Sequence, residues 1–550
     1  MSQEHPNLAE VHEAIAAAIP DRECIIFRDR RLTWADVNDR TRRLANVLAG
    51  AGLGARPEGR AGLAGHETHQ DHLAIYAYNG NEYLEAMVGA FKARVAPLNV
   101  NYRYVAEELR YLLDNSQARA IVFHSSLAPT LAEVLPDLPR IELLLQIADD
   151  SGIDLLPGAV WYEEALAAAS PELPACAAEW SPDDLYILYT GGTTGMPKGV
   201  LWRQADILVS VMGGKAPDNT PHSLDAIVEI AKGGGMRVMP AAPFMHGAGH
   251  WIALLAMDGG NTVLIQDVVD RLDPKDVLSI IEREKVSFVQ IVGDAFGRPL
   301  LDEAESGSYD LSSLFIVLSG GAPLSVGLKE RFLELLPQAM IVDGLGSSEG
   351  GGQMQQVTTK GGPVSTGSFN SIGDGTGVIS EDMSREIPRG DAEVGWLATK
   401  GYVPLGYFGD AAKTATTFPV IDGVRWSVPG DRAHWLEDGS MEVLGRDSVT
   451  INSGGEKIFA EEVEAALVHH PSVYDVVVCG RPSDKWGNEV VAIVQLAEGA
   501  KADEASLTEV ASEHIARYKL PKAYVFVDKV VRSPAGKADY RWAKAMAADS

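Results

Sequence analysis

Cysteine is scarce in this chain, and its placement excludes two classes of protein. Only Cys24, Cys176 and Cys479 occur among 550 residues, far apart and odd in number. A disulfide framework needs pairs of cysteines and a zinc site needs closely spaced ligands, so the sequence predicts neither. Isolated thiols of this kind are typical of reduced cysteines in a cytoplasmic protein.

Positive charge is also in short supply. Lysine and arginine total 47 against 76 aspartates and glutamates, which leaves a formal net charge of −29. Such a surface repels nucleic acid and anionic lipid, so neither is an expected partner. An anionic substrate would have to be met by a local basic site.

A long uninterrupted apolar run is absent. The nearest approach, residues 238–257, contains two prolines and two histidines, so no transmembrane segment is predicted. The first residues lack a basic stretch followed by an apolar core, and no signal peptide is expected. With 46% hydrophobic and 22% charged residues, the composition is that of a globular protein.

The chain is long enough for several lobes, and its pattern changes along its length. Up to about residue 343, helix-like and strand-like segments alternate, which predicts layered α/β sheets that are largely parallel. Residues 344–377 are dense in glycine and are expected to be mostly loops, and short β segments at 395–444 predict a small β lobe. We therefore predict a large N-terminal domain over 1–445 and a small, mobile α+β domain over 446–550.

A glycine- and threonine-rich loop follows an apolar strand in YILYTGGTTGMPKGV (186–200). Backbone N–H groups, threonine hydroxyls and Lys198 together form the outline of a phosphate site. Lys198 lies between Pro197 and Gly199, whereas a Walker A loop ends in Gly-Lys-Ser/Thr. From these residues alone, a phosphate site and an ordinary surface loop both stay open.

Four later clusters carry residue types that suit a nucleotide site. DGLGSSEGG (343–351) offers Glu349 beside hydroxyls, a combination that suits Mg²⁺ bridging phosphates. SVPGDRAHW (427–435) places Asp431 in a turn, where it could accept from ribose hydroxyls. GRDSVTINSGGEKI (445–458) contains a second glycine pair, and RSPAGKADY (532–540) presents Lys537 on a loop. Each cluster alone is equally compatible with a solvated turn.

Taken together and in this order, the five motifs resemble the adenylate-forming superfamily of acyl-CoA synthetases, luciferases and peptide-synthetase adenylation domains. The resemblance spans nearly the whole chain. The runs TGGTTGMPKGV, WRQAD, GSSE, TINSGGEKIFAEEVE and RSPAGKADYRWAK look most like bacterial fatty-acyl-CoA synthetases of sterol side-chain degradation.

The resemblance implies a role for each matching residue. It implies that Glu349 binds Mg²⁺, that Lys537 meets the carboxylate and the α-phosphate, and that His246 borders the acyl pocket. With Thr190, these are the candidate catalytic residues. The residues it implies for ATP or coenzyme A binding are Thr190, Gly191, Gly192, Thr193, Thr194, Gly195, Lys198, Gly321, Ala322, Pro323, Asp343, Gly344, Ser348, Asp431, Arg446, Gly454, Gly455 and Lys457.

Within that set, the resemblance implies a division of labour. Residues 190–198 hold the β- and γ-phosphates, with Ser348 beside them, and 321–323 lie along the adenine. Asp431 and Arg446 reach the ribose and the nucleotide. The Gly454–Gly455 loop lines the pantetheine channel after the small domain rotates.

Two positions depart from the family pattern. Leu345 replaces the aromatic residue that stacks on adenine, so an apolar contact must replace the stack. At the hinge, Arg446 is followed by Asp447 and Ser448, and any of the three could absorb the rotation.

The implied reaction joins a carboxylic acid to coenzyme A through an acyl-adenylate, with ATP and Mg²⁺. A long-chain, branched or steroid side-chain acid is expected, and an arylalkanoic acid is an alternative. Transfer to a carrier protein is a second alternative, disfavoured because no carrier-like segment follows Ser550. A non-catalytic nucleotide or acyl-ligand binding protein is a third, and a Rossmann dehydrogenase is disfavoured because no G-x-G-x-x-G links a strand to a helix. A homodimer is the expected assembly.

Overall fold

The computed structural model describes residues 5–190, 196–216, 218–365, 367–446, 449–453, 456–483, 487–532 and 537–548. Within these residues, the helices are α1 (Leu8–Ala18), α2 (Trp34–Gly50), α3 (Asn81–Lys92), α4 (Ala106–Asn115), α5 (Ala128–Val134), α6 (Tyr162–Ala168), α7 (Gln204–Ser210), α8 (Leu224–Gly233), α9 (Gly247–Asp258), α10 (Pro274–Glu284), α11 (Gly293–Ser306), α12 (Val326–Leu335), α13 (Ala411–Thr417), α14 (Ala460–Val468), α15 (Glu504–Ser512) and α16 (Tyr540–Ala548).

The strands are β1 (Glu23–Phe27), β2 (Arg30–Thr33), β3 (His72–Tyr76), β4 (Ala96–Asn99), β5 (Ala120–His124), β6 (Leu143–Ile147), β7 (Val160–Trp161), β8 (Leu185–Thr190), β9 (Lys198–Arg203), β10 (Arg237–Pro240), β11 (Thr262–Ile265), β12 (Phe288–Ile291), β13 (Ile316–Gly320), β14 (Met340–Ser347), β15 (Gly351–Thr359), β16 (Ser368–Ser371), β17 (Thr376–Ile379), β18 (Glu386–Ile387), β19 (Gly395–Lys400), β20 (Gly406–Tyr407), β21 (Val420–Ile421), β22 (Val424–Ser427), β23 (Asp431–Trp435), β24 (Met441–Arg446), β25 (Ile451–Ser453), β26 (Glu456–Ile458), β27 (Val473–Ser483), β28 (Gly487–Leu496) and β29 (Ala523–Val527).

Two large sheets share one central core. The first runs β18-β17-β19-β23-β24-β16-β15-β14-β13-β12-β10-β11-β1-β2, and the second runs β20-β9-β8-β4-β3-β5-β6-β7. Side chains of α1, α2, α3 and α9 pack between the two sheets. Helices α10, α11 and α12 cover the outer face of the first sheet, and α4 and α5 cover that of the second. The predicted layered α/β architecture is confirmed.

The strands near the middle of each sheet are parallel and buried on both faces. In β11, Val263 and Ile265 join the central core, while Leu264 joins the outer core under α10 and α11. Because side chains alternate between faces, a strand with helices on both sides reads as a continuous apolar run. That is why these segments could be recognised in the sequence.

The glycine-dense region is not mostly loops, and that expectation is wrong. Strand β14 extends to Ser347 and pairs along its length with the antiparallel β15, which contains the run GGQMQQVTT. Strand β16 then pairs with both β15 and β24, so it links the small β lobe to the first sheet. The pairing partner, and not the residue composition, makes this region a sheet.

The last part of the chain has its own sheet and core. Strands β25 to β29 form a five-stranded sheet, with α14 and α15 packed on one face and α16 on the other. Strand β24 of the first sheet ends at Arg446, and β25 begins at Ile451. The domain boundaries 1–445 and 446–550 stay a prediction. Across the described part of the chain, no helix is both long and apolar enough to cross a membrane.

Candidate active site

The predicted phosphate loop connects two antiparallel strands. Thr190 ends β8, Lys198 begins β9, and the two residues are register partners. The two strands therefore fix both ends of the loop at the end of the second sheet where β8 finishes. Gly191, Gly192, Thr193, Thr194 and Gly195 lie outside the described residues.

Lys198 is held by two residues that the sequence analysis missed. Its Nζ lies 2.7 Å from Oδ2 of Asp410 and 5.7 Å from the centre of the Tyr407 ring. Asp410 also accepts from the Lys413 N–H at the start of α13, and Lys198 lowers the pKa of the Asp410 carboxyl. A Gly-Asp pair before a helical run was the available signal, since aspartate is a preferred N-cap.

Glu349 joins the same group of side chains. The Tyr407 hydroxyl donates to its Oε1 at 2.8 Å, and the Ser427 hydroxyl donates to its backbone oxygen at 2.6 Å. Glu349 is half-buried in the turn between β14 and β15. Ser348 lies beside it, and its carbonyl accepts from Trp202 Nε1 at 2.9 Å. Lys198 and Glu349, 151 positions apart in the sequence, thus contact the same tyrosine ring.

The donor set fits a shared magnesium ion rather than a closed metal cage. Among the described residues, no group of three or more histidine, cysteine or carboxylate side chains could hold a metal by itself. Mg²⁺ is usually held by one or two carboxylates together with substrate phosphates. A half-buried Glu349 beside the end of the phosphate loop is consistent with that arrangement.

Backbone lines the predicted adenine side. Gly320 of β13 pairs with Gly344 of β14, and a side chain added at either would meet no atom closer than 3.6 Å. Gly321 has φ +87°, which favours glycine. Ala322 is half-buried and Pro323 exposed directly after it. These residues leave an open, flat wall at the carboxyl end of β13.

Two residues of β14 near this wall contact protein. The Asp343 carboxylate forms a buried ion pair with Lys329. Leu345 packs against the core of the small β lobe, next to Met354 and Trp435. The contacts predicted for Asp343 and Leu345 with the nucleotide stay predictions.

Asp431 and Arg446 come from neighbouring antiparallel strands. Asp431 begins β23, Arg446 ends β24, and the two are register partners. Asp431 is half-buried. The pairing explains how residues in two separate motifs reach one place. The backbone of Lys457 lies in β26, while Asp447, Ser448, Gly454 and Gly455 lie outside the described residues.

The structure brings Lys537 near His246. The His246 ring sits at the start of α9, and burial, reinforced by the positive charge of Lys537, lowers its pKa to about 3. Its Nε2 is buried and has no hydrogen-bond partner in the described part of the chain. Lys537 itself is exposed. The positive charge of Lys537 therefore acts on a buried imidazole whose neutral form is favoured.

A buried aromatic group, which the sequence analysis did not find, supports α9 behind His246. His250 Nδ1 is 2.6 Å from the Phe244 carbonyl, and its Nε2 contacts the Tyr186 hydroxyl. Trp251 Nε1 donates to the same hydroxyl at 3.1 Å. These bonds join α9 to β8, the strand that leads into the phosphate loop.

Within the described residues, the last part of the chain approaches the first at further positions. The Arg298 guanidinium of α11 lies 4.7 Å from the centre of the Tyr474 ring. At Gly445, with φ +114°, an added side chain would contact the Glu461 carboxylate of α14. These contacts belong to the arrangement in which Lys537 faces His246.

Comparison with known families agrees with this site. The model of the family described as AMP-binding enzyme matches residues 12–408, and that of the AMP-binding enzyme C-terminal domain matches residues 462–537. The first match alone covers more than half of the chain. The chain therefore belongs to the AMP-binding enzyme family.

Curated relatives indicate the reaction class, and a solved structure shows the same fold. The chain is 56% identical over 540 residues to the medium-chain acyl-CoA ligase Mig of Mycobacterium avium, covering 98% of this chain and 97% of the relative. It is 39% identical over 549 residues to a 3-oxocholest-4-en-26-oate–CoA ligase of Rhodococcus rhodochrous, covering 98% and 95%. The anthranilate CoA ligase AuaEII, solved with anthranoyl-AMP, has a TM-score of 0.82 at 21% identity and 99% and 98% coverage.

The prediction of an adenylate-forming acyl-CoA synthetase is confirmed at the level of family, fold and reaction class. The protein is an AMP-forming acyl-CoA ligase. The individual roles of the site residues and the acid substrate stay predictions.

Proposed function

We propose that the protein activates a medium- to long-chain, branched or steroid side-chain carboxylic acid and transfers it to coenzyme A. In the first step, a carboxylate oxygen attacks the α-phosphorus of ATP, an acyl-adenylate forms and pyrophosphate leaves. In the second step, the thiol sulfur of coenzyme A attacks the acyl carbon and AMP leaves. The names of the 56% and 39% identical relatives support this range of acids.

The observation that carries the proposal is the electrostatic effect of Lys537 on His246 at the start of α9, where the positive charge of Lys537 helps to lower the pKa of the ring. An acid whose tail follows α9 would leave its carboxylate next to the ammonium group of Lys537. The ammonium attracts the carboxylate and offsets the negative charge that develops as the bond to phosphorus forms. His246 stays neutral and borders the acyl chain.

The phosphates occupy the other side of the site. Thr190, Lys198 and the loop between them hold the β- and γ-phosphates, and Ser348 contacts phosphate nearby. Lys198 exchanges its partner Asp410 for phosphate or is shared by both. Glu349, oriented by Tyr407, holds Mg²⁺. Bound Mg²⁺ neutralises phosphate charge.

Backbone and two polar side chains position the nucleoside. Residues 321–323 lie along the adenine, while Asp431 accepts from the ribose hydroxyls and Arg446 reaches the nucleotide. Because Asp431 and Arg446 are register partners on β23 and β24, one ladder sets both positions.

Thioester formation needs a different set of groups near the same carbon. The small domain rotates about residues 446–448, so that Lys537 withdraws and Gly454, Gly455 and Lys457 line the path of pantetheine. Glycine suits a narrow channel because it places no side chain there. Cys24, Cys176 and Cys479 are free thiols, which supports a location of the protein in the reducing cytoplasm. A homodimer stays a prediction.

The test is mass spectrometry of products from the purified full chain with ATP, Mg²⁺ and coenzyme A. Octanoate, hexadecanoate, 3-oxocholest-4-en-26-oate and 3-phenylpropanoate are the acids offered. Acyl-CoA and AMP from the aliphatic or steroid acids are expected. Acyl-CoA from the aryl acid alone would show that the substrate is an arylalkanoic acid instead. Acyl-adenylate without thioester would indicate transfer to a carrier protein. If neither acyl-adenylate nor acyl-CoA formed, the proposal would be contradicted.

A further inference from the structure

One face of α9 is only partly covered by protein. Ala248, Ile252, Leu255 and Asp258 are half-buried, whereas every residue from 249 to 257 on the other faces is buried. Residues spaced by three or four positions lie on one side of a helix. A continuous, accessible stripe therefore runs along α9 from the end near His246 to its last residue.

Strand β13 shows the matching pattern. Ile316, Leu318 and Gly320 are half-buried, and the alternate residues Val317 and Ser319 are buried. Gly320 belongs to the open wall at the predicted nucleotide site, while Ile316 lies at the opposite end of the strand. The half-buried face of β13 thus runs from the open wall to Ile316, which lines the same cavity as Ile252 and Leu255 of α9.

Both walls end at one cavity. It has a volume of about 230 Å³ and is lined by Ile252, Leu255 and Asp258 of α9, by Ile316, and by Val238 and Phe288 of the neighbouring strands. With a rise of about 1.5 Å per residue, α9 places Asp258, at the far end of the cavity, roughly 18 Å from His246. An extended acyl chain of about 15 or more carbons would cover that distance, because a carbon–carbon bond of about 1.5 Å advances a zigzag chain by only about 1.25 Å.

Two polar groups stand out in this otherwise apolar cavity. Asp258 Oδ2 is out of contact with solvent and accepts no hydrogen bond from the described residues. Burial raises the pKa of the Asp258 carboxyl well above its usual range, which favours its protonated form. A buried neutral acid can donate a hydrogen bond to a carbonyl oxygen.

The second polar group is the side-chain amide of Asn261. Its Oδ1 accepts from the N–H groups of Gly235 at 3.1 Å and Met236 at 3.0 Å. These two bonds fix the orientation of the Asn261 amide, and Asn261 also lines the cavity. A polar group buried without a partner costs stability, unless a ligand supplies the partner.

We infer that this cavity is the distal compartment of the acyl site and that Asp258, with Asn261, recognises an oxygen atom on the tail of the acid. The substrate class is a carboxylic acid that bears a carbonyl or hydroxyl oxygen roughly 18 Å from its carboxylate. This inference rests on the proposed function and specifies its substrate. A site built to hydrogen-bond an oxygen discriminates against analogues that lack it.

The experiment compares kcat/KM for two matched pairs of acids. One pair is 3-oxocholest-4-en-26-oate and the same acid without its ring ketone, and the other is 16-hydroxyhexadecanoate and hexadecanoate. Octanoate, too short to reach Asp258, is the reference acid. The wild-type protein is expected to prefer the oxygenated member of at least one pair by about tenfold or more.

Two substitutions of Asp258 test whether this residue causes the preference for oxygenated acids. Asp258→Leu should lower the preference about tenfold, to near one, because it removes the hydrogen bond and keeps a side chain branched at the same carbon. Asp258→Asn, which keeps a donor and an acceptor, should retain most of it. Octanoate turnover should change less than about twofold in both variants, and the melting temperature of Asp258→Leu should not fall, because an unsatisfied polar group is removed.

A third variant tests the compartment itself. Leu255→Trp fills the cavity and should lower kcat/KM for hexadecanoate about tenfold or more while sparing octanoate. It keeps the inference testable if Asp258→Leu does not fold. Any of three results would overturn the inference. The wild type could use both members of each pair equally, Asp258→Leu could keep the preference unchanged, or Leu255→Trp could turn over hexadecanoate normally. Absence of octanoyl-CoA would instead contradict the proposed function.

Discussion

The phosphate end and the tail end of the site differ in how their polar groups are satisfied. Lys198 and Glu349 are half-exposed and already have partners in Asp410 and Tyr407. The Oδ2 atom of Asp258, at the far end of α9, is shielded from solvent and lacks a hydrogen-bond partner among the described residues. Partners hold groups in place for a charged co-substrate that arrives from water, whereas an unsatisfied group marks where a ligand supplies the missing bond.

The largest expected effect comes from removing the ammonium group of Lys537, between the phosphate end and the tail end of the site. Lys537→Ala should slow acyl-adenylate formation by roughly 10²–10³-fold, because the developing negative charge loses its ammonium partner. Thioester formation from supplied acyl-adenylate should stay within a few fold. Single-turnover assays of each half-reaction measure both values.

Lys544→Ala is the matched control, since Lys544 is an exposed lysine on α16 of the same small domain. It should leave both half-reactions unchanged. Equal loss of the two half-reactions in Lys537→Ala would contradict the division of labour between them.

The next effect tests the carboxylate at the phosphate end. Glu349→Gln should lower kcat/KM for ATP at least about tenfold and raise the Mg²⁺ concentration needed for half-maximal rate, because a neutral amide binds the cation weakly. A Mg²⁺ titration of the initial rate measures this. Glu386→Gln, on an exposed strand position, is the control, and an identical Mg²⁺ requirement in Glu349→Gln would remove Glu349 from the metal site.

A smaller effect tests whether the hydrogen bond from Tyr407 to Glu349 contributes to the use of ATP. Tyr407→Phe removes the hydrogen bond to Glu349 and retains the ring beside Lys198. One net hydrogen bond is worth about 0.5–1.5 kcal/mol, so kcat/KM for ATP should fall roughly two- to tenfold. Steady-state kinetics at saturating acid measure the change.

The chain supplies a matched control for this variant. Tyr309 donates to Glu303 at 2.7 Å, away from the site, and Tyr309→Phe should leave the kinetics unchanged. If the two tyrosine variants behaved alike, the Tyr407 contact would have no part in positioning Glu349.

The smallest expected effect concerns stability and pH. The folded-state pKa of His246 is about 3, below the ordinary value of about 6.5, so between these values the unfolded state binds one more proton. Stability must then fall as the pH drops below about 6.5, and His246→Gln should reduce that slope by up to about 1.4 kcal/mol per pH unit. Urea unfolding between pH 5 and 7.5 measures it.

The half-buried His222, in the segment before α8, serves as the control for this slope. His222→Gln should change it much less. An unchanged slope in His246→Gln would mean that the ring is not held neutral in the folded protein.

Local sequence was sufficient where a segment's structure depends on its own residues. The alternation of strand-like and helix-like segments predicted the layered α/β sheets. Within it, the apolar run TVLI forms the buried strand β11, and α10 begins after Asp273, whose side chain accepts from the Asp276 N–H. The site motifs were recognisable because close backbone approach needs glycine and charge neutralisation needs lysine or carboxylate in a set order. Their order along the chain predicted the reaction class, which the family match confirms.

Pairing over long distances was not visible in the sequence. GGQMQQVTT forms β15 because β14 and β16 offer hydrogen-bonding edges on both sides, although its glycines favour a loop. Tyr407 and Asp410 belong to none of the motifs, and they enter the site because β20 pairs with β9. A contact between residues more than 200 positions apart leaves no local pattern.

The sequence by itself determined the layered α/β fold, the ligase class and the identity of the charged residues, because each depends on periodicity, residue chemistry and order. The tertiary structure decided which side chains share a partner, where Lys537 stands relative to His246, and that Asp258 closes a cavity at the far end of α9. Burial and distance are properties of the packed molecule. The sequence alone suggests a solvated, charged carboxylate at position 258, whereas burial in the folded protein disfavours the charged form.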